Sequence, residues 1–495
     1  MTRRSVVAAV AACFFVLQLL ASPAIDRTST SAFRVGEVTE ITFFGSSLRE
    51  TASLWTSVPV TATIVGEPRD NQVTFRVVPG EKSPTGVCWA RIVASNGVSN
   101  LRGIVIDDLP AVRDLRTNRT RAKAQLLMAP CAVEGVAEEL SVSWFKVNAK
   151  KGERVSMEVV AARLGSRFDS VLRVVDARGH EVASNDDAPG IRGDSAFTFM
   201  AAEDGEYFVE LRDVNYAGGS EYSWHLRLGG NPLPATPFKS SLAQITEREP
   251  NGTAKLATHV IPPCGINGRF ETANDVDVFQ FAAKANQQLS FRARTRSVGA
   301  SCDVMLRIEN AKGELLAKSN MNAADEGILT HIFADSGEYQ LIVREATGAF
   351  GAAAFYVIEA TEAAGFTLAV DSEKVEAPVN GTFQLKVNCV RGDYKGLIAI
   401  AIPDLPELTL TNHVISKGAT NVTLKATLPA AFHAATLHRF RIVGSARERG
   451  EASTIFAGTS GAWQRGFPQL LYSPIDMEGF VTLGVTSQTT DFSSN

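Results

Sequence analysis

The sequence predicts an all-β protein, a tandem string of β-sandwich domains of jelly-roll and immunoglobulin-like type behind an N-terminal signal peptide. Three observations carry this. Apolar and polar residues alternate in many short stretches, as in "EYFVELRDV" (Glu206–Val214) and "EYQLIVREA" (Glu338–Ala346). A period of two is the mark of a half-buried strand. Gly, Asp, Asn and Pro clusters interrupt these stretches at short intervals, the spacing of sandwiches. The chain also repeats itself: Phe145, Gly165, Asp169, Leu172 and Gly179 recur 134 positions later as Phe279, Gly299, Asp303, Leu306 and Gly313.

Length agrees with this reading. A chain of 495 residues exceeds one core and suggests about three or four domains. Hydrophobic residues make up 45% and charged residues 21%, with a formal net charge of -4. No long basic run appears, so nucleic acid is not an expected partner.

The elements follow in chain order. Arg3 and Arg4, the apolar run Ser5–Ala21 and the small residues of "ASPA" form a signal peptide over 1–24. No later segment is long and apolar enough to span a membrane, which predicts a secreted protein of the periplasm or cell surface without a transmembrane span. Beyond the signal lie Cys88, Cys131, Cys264, Cys302 and Cys389. They form no CxxC pair and are too sparse for a disulfide scaffold, so they read mostly as buried small apolar side chains.

A first sandwich is expected over 32–110, opening with "VGEVTEITFFGSSL" and closing with "GVCWARIVASNGVSNLRGIVIDDLP". This segment resembles immunoglobulin-like domains of the IPT/TIG type. The two repeats occupy 126–229 and 243–361, joined by the Pro-rich linker 230–242. An immunoglobulin-like sandwich is expected over 365–457, and 458–495 reads as a closing segment and polar tail.

Both repeats share "F-x-F/V … G … D-x-x-L-x-V/I … G-E-Y", with Gly205-Glu206-Tyr207 matching Gly337-Glu338-Tyr339 and Tyr222 set against Tyr356. In this pattern they resemble the bacterial pre-peptidase C-terminal domain. The resemblance implies a sandwich of about a hundred residues that accompanies secreted proteases without being catalytic. It is also similar to the collagen-binding domains of bacterial collagenases.

That likeness implies a calcium site. In such domains an acidic linker and acids ahead of the Phe-rich strand hold the ion. The matching residues are Glu247, Glu249 and Asn251 in "ITEREPNGTAK" and Asp275 and Asp277 in "NDVDVFQF". Alternation would point each set one way. A polar linker with an Asx-turn is the competing reading. The first repeat has "RTNRTRAKAQ" as its linker, and Ser141 and Ser143 in place of the aspartates. A second acid group, Asp169, Asp186, Asp187 and Asp194 around "SNDDAPGIRGDS", reads as a hairpin turn rather than a calcium site.

Two fragments resemble a subtilisin-type serine protease: "GTSGA" around Ser460 and "ADSGEY" at Ala334–Tyr339. Serine catalysis needs a base and an orienting acid. None of the seven histidines precedes a glycine, and the second fragment falls on the repeat's own turn. No GxSxG, HExxH, Walker or GxGxxG element is present. "GTSGA" reads as a turn between strands. The expectation is a non-catalytic envelope or extracellular binding and adhesion protein, with another protein or a polysaccharide as partner. The alternatives are an accessory component of a secreted peptidase system and a subtilase-type hydrolase using Ser460.

Overall fold

The computed structural model describes residues 21–188, 191, 193–230, 242–319, 326–351, 353–392, 394–448, 451–468 and 475–487. Most of the expected signal peptide and of the Pro-rich linker lies outside these residues. Strands dominate, and the longest helix among the described residues is Ser460–Gly466. No described helix is long and apolar enough to cross a membrane.

Four large hydrophobic cores follow one another along the chain. The first runs from Ile25 to Ile106, the second from Leu127 to Leu228, the third from Val260 to Ala360 and the fourth from Phe366 to Val485. Each is the inner face of alternating strands; in Thr382–Arg391, Phe383, Leu385, Val387 and Cys389 are buried while their neighbours face outward. Cys88, Cys131, Cys264, Cys302 and Cys389 are all buried, and none of them forms a disulfide among the described residues.

The two repeats share one topology. Each has two five-stranded sheets. In the second repeat one sheet runs Gln244–Thr246, Cys264–Arg269, Phe355–Glu362, Gln288–Arg294, Ile328–Ile332, and the first repeat matches it with Ala111–Arg113, Cys131–Val136, Ser223–Leu228, Arg154–Val160, Ala196–Met200. The opening strand of each is parallel to its neighbour.

Strand pairing corrects one match read from the sequence. Gly135 faces Trp224, and Gly268 faces Tyr356, so Trp224 rather than Tyr222 stands where Tyr356 stands. The two sequences do not keep a constant offset through the loops, and the ladder sets the register. Both glycines are needed: a Cβ would lie 2.4 Å from the Trp224 ring or 2.2 Å from the Tyr356 ring.

The expected boundaries are overrun where strands are short or distant. Ala24–Thr28 pairs with Thr39–Ser46 in the first sandwich. Ala111–Arg113 belongs to the first repeat, ahead of residue 126. Phe480–Thr486, placed in the closing segment, sits between Lys374–Pro378 and Thr436–Arg441 in the last sandwich.

The turn expected at "GTSGA" is instead the start of the helix Ser460–Gly466. Its two glycines disfavour a helix. Packing decides: Trp463 and Phe467, four apart on one face, join Trp89, Leu101 and Met477 in a buried cluster.

Candidate metal centre

The candidate site lies where the chain enters the second repeat. After the strand Gln244–Thr246, the segment carrying Glu247, Glu249 and Asn251 crosses to the strand Val276–Ala283, and the Val278 amide donates to the Asn251 carbonyl at 3.3 Å. Carboxylate oxygens of Glu247, Glu249 and Asp277 all lie within 4.8 Å of one another. Asn251 and Asp277 have no exposed surface.

Several of these oxygens already have donors. The Arg269 amide donates to Glu247 Oε1 at 2.6 Å, and Asn251 Nδ2 to Glu247 Oε2 at 3.2 Å. The Asn251 amide donates to Glu249 Oε2 at 2.9 Å. The Tyr356 hydroxyl donates to Asp277 Oδ2 at 2.6 Å. Two oxygens remain: Asn251 Oδ1 and Asp277 Oδ1 are buried and have no hydrogen-bond partner. An unsatisfied buried acceptor costs about 1–3 kcal/mol. Both are acceptors beside the acidic cluster, so either a hydrogen-bond donor or a cation would satisfy them.

Electrostatics favour the cation. Burial, with Glu247, Asp275 and Glu249 close by, pushes the Asp277 carboxyl up to about 8 despite its Tyr356 hydrogen bond. Burial and Glu249 raise Glu247 as well. Burial and then the Asp277 and Glu247 carboxylates raise the Tyr356 phenol far above its usual range. Three carboxylates and an amide oxygen are hard donors that suit calcium, which takes six to eight oxygens, rather than zinc with its nitrogen and sulfur ligands. Glu249 is exposed and leaves one side open to water.

Asp275 is not brought into this cluster. Asn274 takes a left-handed φ of 63°, and the Asp275 carboxylate closes the turn by accepting from the amides of Glu271 at 2.6 Å and Val276 at 3.0 Å. Alternation begins only with the strand at Val276. Tyr356, which holds Asp277, carries no signal as a site residue in the sequence, and Trp224 takes its place in the first repeat.

The first repeat keeps more of the set than its linker suggested. Asp114 and Glu247 each bond the adjacent strand, to the carbonyls of Glu134 at 3.3 Å and Asn267 at 3.0 Å. Asn118 accepts from the Trp144 amide at 2.8 Å, as Asn251 accepts from Val278. Asp114, Asn118 and Ser143 therefore stand where Glu247, Asn251 and Asp277 stand. Setting "DLRTNRT" beside "EREPNGT" would have revealed this.

Other candidates have structural roles. Asp194, fully buried, accepts from the Ala161 and Ala162 amides at 2.8 Å each and pairs with Arg163 at 2.7 Å. Asp187 accepts from the Gly193 amide at 2.8 Å, closing the turn. The Asp335 carbonyl accepts from the Tyr339 hydroxyl at 2.8 Å, as Glu203 does from Tyr207 at 2.9 Å, so "ADSGEY" is a turn of the repeat. Ser460 Oγ lies 3.4 Å from Glu478, whose carboxylate pairs with Arg292 at 2.9 Å and Arg294 at 2.6 Å. Histidines are engaged elsewhere: His225 with Asp107, His180 with Asp176 and His438 with Thr436.

No family model matches the chain. It is similar to a probable subtilase-type serine protease of Deinococcus radiodurans, 31% identical over 157 residues, which are 31% of this chain and 21% of that protein. Among solved structures, the pre-peptidase C-terminal domain of Bacillus anthracis collagenase shares 14% identity, covering 23% of this chain and 100% of its own, with a TM-score of 0.18. A Bacteroides ovatus glucan-utilization protein, SGBP-B, bound to a mixed-linkage heptasaccharide, shares 9%, covering 68% of this chain and 74% of its own at a TM-score of 0.17. The sequence motif shared by the two repeats, not these scores, carries the resemblance to the pre-peptidase C-terminal domain.

Proposed function

We propose that this chain is a non-catalytic secreted or cell-envelope binding protein, adhesion-like in build, whose second repeat is held by a calcium ion on Glu247, Glu249, Asn251 and Asp277. The observation that carries the calcium reading is the pair of buried acceptors, Asn251 Oδ1 and Asp277 Oδ1, left without donors beside carboxylates. When bound, the ion supplies the positive charge that these oxygens lack. The residues themselves do the rest. Asn251 and Glu247 belong to the incoming chain and Asp277 to a core strand, so a shared ligand fixes the entry to the repeat. The partner is an extracellular or envelope protein or polysaccharide.

Melting of the purified chain with excess Ca²⁺ and with chelator tests the metal. A ligand of the folded state at a hundred times its Kd adds about 2.7 kcal/mol. The absence of a shift sinks the calcium reading, and a shift that survives Glu249→Ala with Asp277→Ala moves the ion elsewhere. The partial likeness to a subtilase-type protease favours a second reading, an accessory component of a secreted peptidase system. A subtilase-type hydrolase using Ser460 is the remaining alternative. Casein cleavage abolished by Ser460→Ala would overturn the non-catalytic reading.

A further inference from the structure

The two repeats solve the same electrostatic problem with different cations. In the first repeat, Arg119 directly follows Asn118; in the second, Gly252 directly follows Asn251 and carries no side chain. Arg119 Nη1 lies 3.0 Å from Asn118 Oδ1, 3.1 Å from Ser143 Oγ and 3.4 Å from Asp114 Oδ2. Its Nε lies 3.4 Å from Glu138. Asp114, Asn118 and Ser143 are buried. Asn118 and Ser143 correspond to Asn251 and Asp277, the two residues whose oxygens lack a donor.

We infer that the Arg119 guanidinium is a built-in cation that does in the first repeat what an exchangeable calcium ion does in the second. This rests on the reading of the second repeat as a calcium site. The charges agree. The first repeat offers Asp114 and Glu138 to one guanidinium, with neutral Ser143 in the position of Asp277. The second offers three carboxylates, a set that a divalent ion balances better than a single positive charge. A guanidinium has a planar fork and five donors, so it can reach several oxygens at once. The first repeat therefore stays closed at any calcium level, and only the second responds to it.

Titration of the full, chelator-treated chain with Ca²⁺ alone reads this directly. The native chain is expected to bind one equivalent. Arg116→Glu, Arg119→Gly and Ser143→Asp together give the first repeat the carboxylates of the second, because Arg116 stands where Glu249 stands, and are expected to raise this to two. One equivalent in a folded variant overturns the inference and leaves the calcium reading standing. Two equivalents in the native chain also overturn it, while none overturns the calcium reading itself. The converse pair, Gly252→Arg with Asp277→Ser, decides the matter if the first variant does not fold. It is expected to bind no Ca²⁺ and to melt above Asp277→Ser alone, at a temperature that chelator does not change. Melting no higher than Asp277→Ser overturns the inference.

Discussion

Asp277 shows how one buried carboxyl couples protons, metal and stability. Burial and its acidic neighbours hold it at about 8 in the metal-free fold, against about 3.9 for an unfolded aspartate. A raised folded value means that the proton stabilises the fold. That contribution is complete below about pH 4 and is lost as pH rises through about 8. Metal-free protein is therefore expected to be more stable at pH 5 than at pH 9 through this group, as denaturant midpoints in chelator will show. On the proposed calcium reading the ion displaces the same proton, because only the carboxylate is a ligand. Between about pH 6 and 8 calcium affinity is expected to rise up to about tenfold per unit and then level off, with proton release measurable in weak buffer. Affinity that does not change over that range would place the ion on groups other than Asp277.

At the scale of elements, the helix Ser460–Gly466 separates a motif from its role. Ser460→Ala is expected to change stability by no more than about 0.5 kcal/mol, whereas Trp463→Ala, which empties the cluster with Trp89 and Leu101, is expected to cost about 3–5 kcal/mol in urea unfolding. Equal effects of the two would mean that the helix does not bury Trp463. The same helix shows where sequence reading stops. Strands such as Gly205–Asp213 and Thr382–Arg391 are long enough to display their alternation, and the repetition of the first in Gly337–Glu345 was legible. Ala111–Arg113 and Gln244–Thr246 have three residues each, too few for a period, so one repeat boundary was drawn late. The helix was hidden because its buried face is selected by residues far away in the chain. At the site, the spacing of Glu247, Glu249 and Asn251 did point to one cluster. Asp275 was lost to a turn, and Tyr356 was invisible because its place depends on Gly268 across the ladder.

At the scale of the molecule, the sandwiches are joined by buried charge. Arg91 in the first sandwich has no exposed surface and pairs with Glu373 in the last, while Lys374 Nζ donates to the Val98 carbonyl at 2.7 Å. The first and last sandwiches thus meet. The repeats dock through equivalent strands, Arg154–Val160 and Gln288–Arg294: Val160 packs with Val105 of the first sandwich, and Arg294 pairs with Glu478 of the last. The joint between the first sandwich and the first repeat centres on Asp107, which lies 2.6 Å from His225 Nε2 and 3.1 Å from Arg227 Nε. Burial alone would raise its carboxyl, but the hydrogen bond and charge of His225, the Leu109 amide and the Arg227 charge outweigh it and hold Asp107 well below the usual carboxylate range. A depressed folded value contributes stability above the unfolded value of about 3.9 and loses it as pH falls through the folded one. Asp107→Asn takes from Arg227 the nearer of two buried carboxylates, Glu158 remaining at 3.8 Å, and removing one member of a buried pair costs about 3–5 kcal/mol. Arg227 keeps exposed Asp108 at 2.7 Å, which places the expected loss at the lower end of that range at pH 7. Below about pH 4 the native chain loses its own Asp107 contribution, so the gap between native and variant should narrow as acid is added. Denaturant unfolding at pH 7 and pH 3 reads both terms. An Asp107→Asn protein as stable as the native chain at pH 7 would mean that the buried pair does not hold the joint, and that the apolar contact of Val105 with Val160 and Leu164 is sufficient.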